Sequence, residues 1–134
     1  MPAIAKRIGQ TMDWTPIIIS LGAVLGALSR YYCSLFWLWR LGDRWPYGTL
    51  FVNLTGALAI GIGATIIPAL DPGVTLQQFF LIGFLGAYTT FSTYILDVVK
   101  LYRSQQRLRA LLYASGSVIL GLAFAELGLW VGRF

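Results

Sequence analysis

The chain has no histidine and a single cysteine, Cys33, among its 134 residues. Without histidine there is no His general base, no Ser–His triad and no His-ligated metal. One cysteine excludes an intrachain disulfide and a Cys-rich zinc site. Charge is also scarce: Asp, Glu, Lys and Arg make up 11% of the chain, against roughly 25% in ordinary domains. What is abundant is apolar. Hydrophobic residues reach 57%, and the 15 glycines bring the share to about 68%, against roughly 45–50% on the same count for a soluble domain. That excludes a disordered chain. It also argues against a soluble globule, because a chain this short cannot hide so much apolar surface from water. The ten basic residues give a net charge of +5. In such a chain they flank membrane spans or meet lipid head groups, and no nucleic-acid partner is expected.

Crossing about 30 Å of hydrocarbon takes about 20 helical residues. Residues 16–39 carry one charge, Arg30; residues 45–70 and 72–96 carry none; residues 110–132 carry one, Glu126. The third stretch continues to about residue 101. The expected fold is an all-α membrane protein: one domain over residues 1–134, with four transmembrane helices at about 16–39, 45–70, 72–101 and 110–132. Four buried helices of a soluble bundle would need polar outer faces at helical period, and the sequence has none. The connections are Arg40 to Arg44, the turn at Asp71 between Pro68 and Pro72, and Arg103 to Arg109. None is long enough to hold a soluble catalytic domain. Trp14, Trp37, Trp39, Trp45 and Trp130 stand near span ends, as interfacial aromatics do. Lys6 and Arg7 precede the first apolar run as in a signal peptide, but the run is too long and lacks a cleavage site, so no cleavage is expected. Lys6, Arg7 and Arg133 lie on one side of this topology. Arg40, Arg44, Lys100, Arg103, Arg107 and Arg109 lie on the other, a mild bias toward an outside N-terminus.

Small residues at helical spacing, Gly22/Gly26, Ala59/Gly63 and Gly128/Gly132, predict close helix packing. Four helices are few to enclose a pathway, so a second copy is expected.

The third span carries the densest signal. Thr89, Thr90, Ser92 and Thr93 cluster behind Gly86 and Ala87 in an uncharged segment. Glycine followed by β-branched and hydroxyl residues is poor helix material, and hydroxyls cap freed backbone groups. The helix is therefore expected to break near residues 86–90. Broken backbone at membrane depth must be buried in protein or line a watery cavity. Freed carbonyls at the end of the first half-helix suit a small cation such as Na+. Phe91 and Tyr94 share a helix face; they either pack against a neighbour or present positive ring edges to an anion. Asn53 in span two is either interhelical glue or a pore donor. Arg30, a charge within span one, either serves a functional site or snorkels toward the Arg40 end. Glu126 lies near enough to a span end to reach the interface. Tyr113, Ser115 and Ser117 offer further donors in span four.

Three segments resemble the CrcB/Fluc fluoride channels. Gly22-Ala-Val-Leu-Gly-Ala-Leu-Ser-Arg-Tyr31 is similar to their first-span motif. Trp45-Pro-Tyr-Gly-Thr-Leu-Phe-Val-Asn-Leu-Thr-Gly56 resembles P-x-G-T-L-x-V-N-x-x-G. Gly83-Phe-Leu-Gly-Ala-Tyr-Thr-Thr-Phe-Ser-Thr-Tyr94 resembles G-x-x-G-G-x-T-T-F-S-T-F. The resemblance covers nearly the whole chain. It implies an antiparallel, dual-topology homodimer in the cytoplasmic (inner) membrane, with two narrow fluoride pores and a structural Na+ at its centre. It makes Asn53 a pore-lining residue, Phe91 the first aromatic of the pore pair, and Tyr94 the second, where phenylalanine is usual. Ser92 and Thr93 stand beside them as hydroxyl donors, and Tyr113 and Ser117 fall at polar positions of span four. Gly86 and Thr89 would offer backbone carbonyls to Na+, and Arg30 would stand near the vestibule. The chain departs from the pattern at Ala87, Tyr94, Ile95 and Asp97. The Tyr94 hydroxyl either adds a donor or narrows the path. The implied activity is passive, electrogenic fluoride efflux, with no catalysis. The alternatives are one subunit of an obligate heterodimer, a structural or assembly subunit with no pathway, and a small proton-coupled multidrug transporter. The transporter would need a carboxylate in the first span, where only Arg30 is charged.

Overall fold

The computed structural model describes residues 13–71 and 73–134. Lys6, Arg7 and Pro72 lie outside the described residues. Four helical stretches are long and apolar enough to cross a membrane. Helix α1 is Thr15–Leu41 and α2 is Tyr47–Leu70. The third stretch is composite: a π-helix, Gln77–Leu85, one α-turn, α3, at Gly86–Tyr88, and then α4 at Phe91–Arg103. The last, α5, is Arg107–Val131. Each element begins and ends for a local reason. Pro16 sits in the first turn of α1, where its missing N–H is no loss, and the Thr15 N–H donates to Asp13 Oδ1 at 3.0 Å. Gly42, at φ 74°, ends α1 in a conformation that glycine adopts without strain. Pro46 delays the start of α2 to Tyr47, and Pro68 falls in its last turn. The Asp71 carboxylate accepts from the Gly73 and Leu76 N–H groups and so opens the third stretch.

The helices pack in two main pairings: α1 along the π-helix, and α2 along α5. Backbone contact makes both possible. A Cβ on Gly22 would fall within 3.0 Å of the Phe79 carbonyl oxygen, and one on Gly26 within 3.0 Å of the Phe84 carbonyl oxygen. Between α2 and α5 the contact is Gly61 against Gly128, with the Ala125 and Leu58 carbonyls as the atoms a side chain would strike. Gly61 was not among the expected small-residue pairs. Gly63, which was, meets the Leu81 side chain, and Gly132 meets Thr65.

Large apolar side chains point outward along every helix: Leu21, Val24, Ile119 and Leu122 each expose more than half of their surface. Such a surface is stable against lipid, where apolar side chains need not be inside. Fully buried large side chains among the described residues are Val52, Leu85 and Tyr113. The core cluster of Tyr94, Leu101, Ala110 and Tyr113, backed by Trp45, Leu50 and Val98, ties α4 to α5 and the start of α2. This is a multi-pass membrane fold, with its third span broken where glycine and hydroxyl content predicted.

Because the α2–α5 crossing is backbone on backbone, Gly61→Val forces overpacking. A loss of about 1–3 kcal/mol is expected, read as a lower unfolding midpoint and fewer monodisperse particles in detergent. Gly116→Ala, in open space, leaves both unchanged.

Candidate functional site

The break is two residues long. Thr89 (φ −74°, ψ 157°) and Thr90 (φ −150°, ψ 121°) are extended, and both hydroxyls serve the backbone. Thr90 Oγ1 accepts from the Thr93 N–H at 3.3 Å and so caps α4, while Thr89 Oγ1 donates to the Leu85 carbonyl at 3.0 Å. Across the gap, Asn53 of α2 reads the Thr90 peptide groups in both senses. Its Nδ2 donates to the Thr90 carbonyl at 2.9 Å, and its Oδ1 accepts from the Thr90 N–H at 2.8 Å. Gly56, one turn on, lets the Thr89 side chain approach α2 closely.

These bonds divert two N–H groups from the helical ladder. In a continuous helix the Thr90 N–H would go to the Gly86 carbonyl and the Thr93 N–H to the Thr89 carbonyl. Here they go to Asn53 Oδ1 and Thr90 Oγ1. The Gly86 and Thr89 carbonyls thus lose their usual partners. The Thr89 carbonyl accepts instead from Arg30 Nη1 at 3.3 Å. Arg30 is half-buried, and its guanidinium reaches the break rather than the Arg40 end of α1.

Beside the break lies an open groove of about 280 Å³, lined by Asn53, Ala57, Ile60, Thr89, Thr90, Phe91, Tyr94, Ser117 and Val118. It gathers Asn53, Phe91, Tyr94 and Ser117 of the expected pore set. Phe91 is 74% exposed, and its ring centre lies 5.6 Å from that of Tyr94. Tyr94 is buried, and its hydroxyl donates to the Ala114 carbonyl of α5 at 2.8 Å. That donor faces α5. Ser92 and Thr93 are exposed and outside the lining; their hydroxyls associate with Thr90 Oγ1 at 3.4 and 3.0 Å. Ser115 bonds back to the Leu111 carbonyl on an exposed face, and Glu126 is exposed.

A second groove, about 730 Å³, opens where the α1–α2 and α4–α5 connections meet. Arg44, Lys100, Asp43, Trp45, Thr49 and Asp97 are part of its wall, and Thr49 Oγ1 donates to Asp97 Oδ2 at 2.7 Å. Thr49 was not singled out from the sequence, and Asp97 was noted only as a departure from a motif. A carboxylate at the end of an otherwise uncharged span was the available signal. Tyr113 stands between the two grooves: its ring centre is 5.7 Å from that of Trp45 and 5.6 Å from that of Tyr94. The Tyr113 hydroxyl and Ser117 Oγ, one helical turn apart, are buried and, among the described residues, have no hydrogen-bond partner of normal geometry, although the Tyr113 hydroxyl lies near those of Thr49 and Ser117.

A conserved-family profile described as "CrcB-like protein, Camphor Resistance (CrcB)" matches residues 17–129. The chain belongs to the CrcB family. A relative from Trichormus variabilis named "Fluoride-specific ion channel FluC" is 46% identical over 122 residues, covering 88% of each chain. Proteins of the same name from a Synechococcus species and from Paracoccus denitrificans are 42% and 41% identical, over 88% and 91% of this CrcB chain and 92% and 97% of their own.

Since Asn53 holds both polar groups of Thr90, Asn53→Ala leaves a buried N–H and a carbonyl unpaired. A stability loss of about 1–3 kcal/mol is expected, seen as a lower thermal midpoint in detergent. An unchanged midpoint would return Asn53 to a lining role alone.

Proposed function

We propose that this chain conducts fluoride: two antiparallel copies form a selective channel for passive, electrogenic fluoride efflux across the cytoplasmic (inner) membrane, limiting fluoride toxicity. The relatives named as fluoride-specific channels give the ion and the class of activity, which is not enzymatic. The observation that carries the reading is the pair of orphan hydroxyls, Tyr113 and Ser117. A buried hydroxyl without a partner is unfavourable by about 1–3 kcal/mol, and such groups persist where a ligand or water completes them. A hydroxyl both donates and accepts, and a small anion is an acceptor to which the two hydroxyls can donate at once. Tyr113 lies between the groove at Thr49–Asp97 and the groove at Asn53–Phe91, and Ser117 lines the second, so an anion handed along α5 would pass from one to the other.

Selectivity then follows from donors without charge. Fluoride gives up tight hydration only for strong, close donors, which hydroxyls and the second Asn53 amide proton supply. The positive edges of Phe91 and Tyr94 add weak solvation that lets the ion leave again. An inside-negative potential drives the anion outward by about 2.3 kcal/mol per charge per 100 mV. The exposed Phe91 ring and the open groove call for a second copy to close the path. The Gly86 and Thr89 carbonyls, neutral oxygens cut off from the ladder, suit Na+ at the centre of such a dimer, where it would hold the two breaks together. An obligate heterodimer is the second reading. The gathering of Arg40, Arg44, Lys100, Arg103, Arg107 and Arg109 at one end favours it, because such a bias resists insertion in both orientations.

The test is fluoride efflux from liposomes holding the purified chain. Electrogenic fluoride loss without chloride loss is expected, and its absence would sink the homodimer; rescue by a co-purified partner chain would support the pair. Tyr113→Phe and Ser117→Ala should each slow efflux about fivefold or more, the equivalent of one net hydrogen bond. Their thermal midpoints should hold or rise, since each removes an unpaired buried hydroxyl. Slower efflux with a matching loss of stability would assign both residues to packing.

A further inference from the structure

One cation, the Arg30 guanidinium, stands on the Thr89 carbonyl oxygen at 3.3 Å. We infer that Arg30 is a built-in cation of the third-span break and competes with a free monovalent cation for the Thr89 carbonyl. The inference rests on the proposed cation site at Gly86 and Thr89.

The argument starts from what the break leaves over. The Thr89 carbonyl lost its helical partner when Thr90 Oγ1 took the Thr93 N–H. It lies at the C-terminal end of the first half of the span, where the aligned peptide dipoles leave partial negative charge. In a low-dielectric site that charge attracts a cation. Arg30 lies 59 residues away in sequence, yet α1 packs so closely on the first half of the span, through Gly22 and Gly26, that its guanidinium reaches the carbonyl at 3.3 Å. Guanidinium is always charged and is more weakly hydrated than an ammonium, so it is well suited to this position. A free cation bound to the same oxygen would stand within a few ångströms of it, and in poorly screened surroundings like charges at that range repel strongly. The carbonyl therefore serves one cation fully at a time. A bound Na+ weakens the Arg30 contact, and a seated Arg30 weakens Na+ binding. Arg30 in this role is a positioning residue: it keeps the break satisfied before assembly and sets how tightly a central cation is held.

The test compares wild type with Arg30→Gln and Arg30→Lys in detergent. The thermal unfolding midpoint is followed as NaCl replaces choline chloride at constant ionic strength. A cation that binds only the folded state raises the midpoint in proportion to its occupancy. In Arg30→Gln the half-saturating Na+ concentration should fall about tenfold, through removal of a close like charge. Arg30→Lys keeps the charge on a shorter, more strongly hydrated group, so a smaller fall in the same direction is expected. That variant carries the test alone if Arg30→Gln does not fold. Guanidinium at low millimolar concentration should raise the half-saturating Na+ of Arg30→Gln back toward wild type. An unchanged or raised half-saturating Na+ in the variants would overturn the inference, as would no Na+-dependent midpoint in any of the three proteins. Fluoride efflux, measured separately on wild type, judges the channel reading and is independent of this titration.

Discussion

Everything near the site depends on one reciprocal contact, the Asn53 amide against the Thr90 peptide groups. Lipid offers backbone no alternative partner, so a non-helical pair of residues in a membrane span is stable only if protein supplies both a donor and an acceptor. The Asn53 amide supplies both from separate atoms, an N–H donor and a carbonyl acceptor, and so can hold the Thr90 N–H and carbonyl at once. With Asn53 in place, the chain can extend through Thr89 and Thr90, and the remaining consequences follow. Thr90 caps α4, the Gly86 and Thr89 carbonyls leave the ladder, and Phe91 emerges at the start of a new helix with its ring beside the groove.

The glycine contacts are the counterpart of that break. Two pairings of backbone on backbone, α1 on the π-helix and α2 on α5, bring chain segments together without a hydrophobic drive between them. The first pairing carries Arg30 to the break. The second carries α5, with Tyr113 and Ser117, alongside α2, which bears Thr49 and Asn53. Polar groups too few to form a site on any one helix thus converge from four.

Scarcity of charge shapes the chemistry as much as the fold. Among the described residues the groove beside the break is lined by no Asp, Glu, Lys or Arg, and the Tyr94 hydroxyl there is held by the Ala114 carbonyl. In the proposed channel, partial charges of amide, hydroxyl and ring edge would bind an anion loosely enough to release it. Formal charges stand outside the lining of that groove, among them Asp43, Arg44, Asp97 and Lys100 at the wide groove and Arg30 at the break.

Span number, the approximate span limits and the region of the break were legible in the sequence because each follows from local composition: uncharged runs for the spans, glycine followed by hydroxyls for the break. The π-helix was not legible, since no residue type marks it. The identity of Gly61 as a crossing point was hidden among many glycines. Asn53 was recognisable as a polar residue needing a partner, but which partner it meets depends on how α2 lies against residues 37 positions later. The same holds for the Tyr94 hydroxyl, whose acceptor, the Ala114 carbonyl, belongs to another helix. The sequence by itself determined that this chain lives in a membrane and that its third span cannot run straight. Only the tertiary structure decided which donors are committed to backbone and which, on Tyr113 and Ser117, remain unpaired among the described residues, because hydrogen-bond satisfaction is a property of neighbours in space.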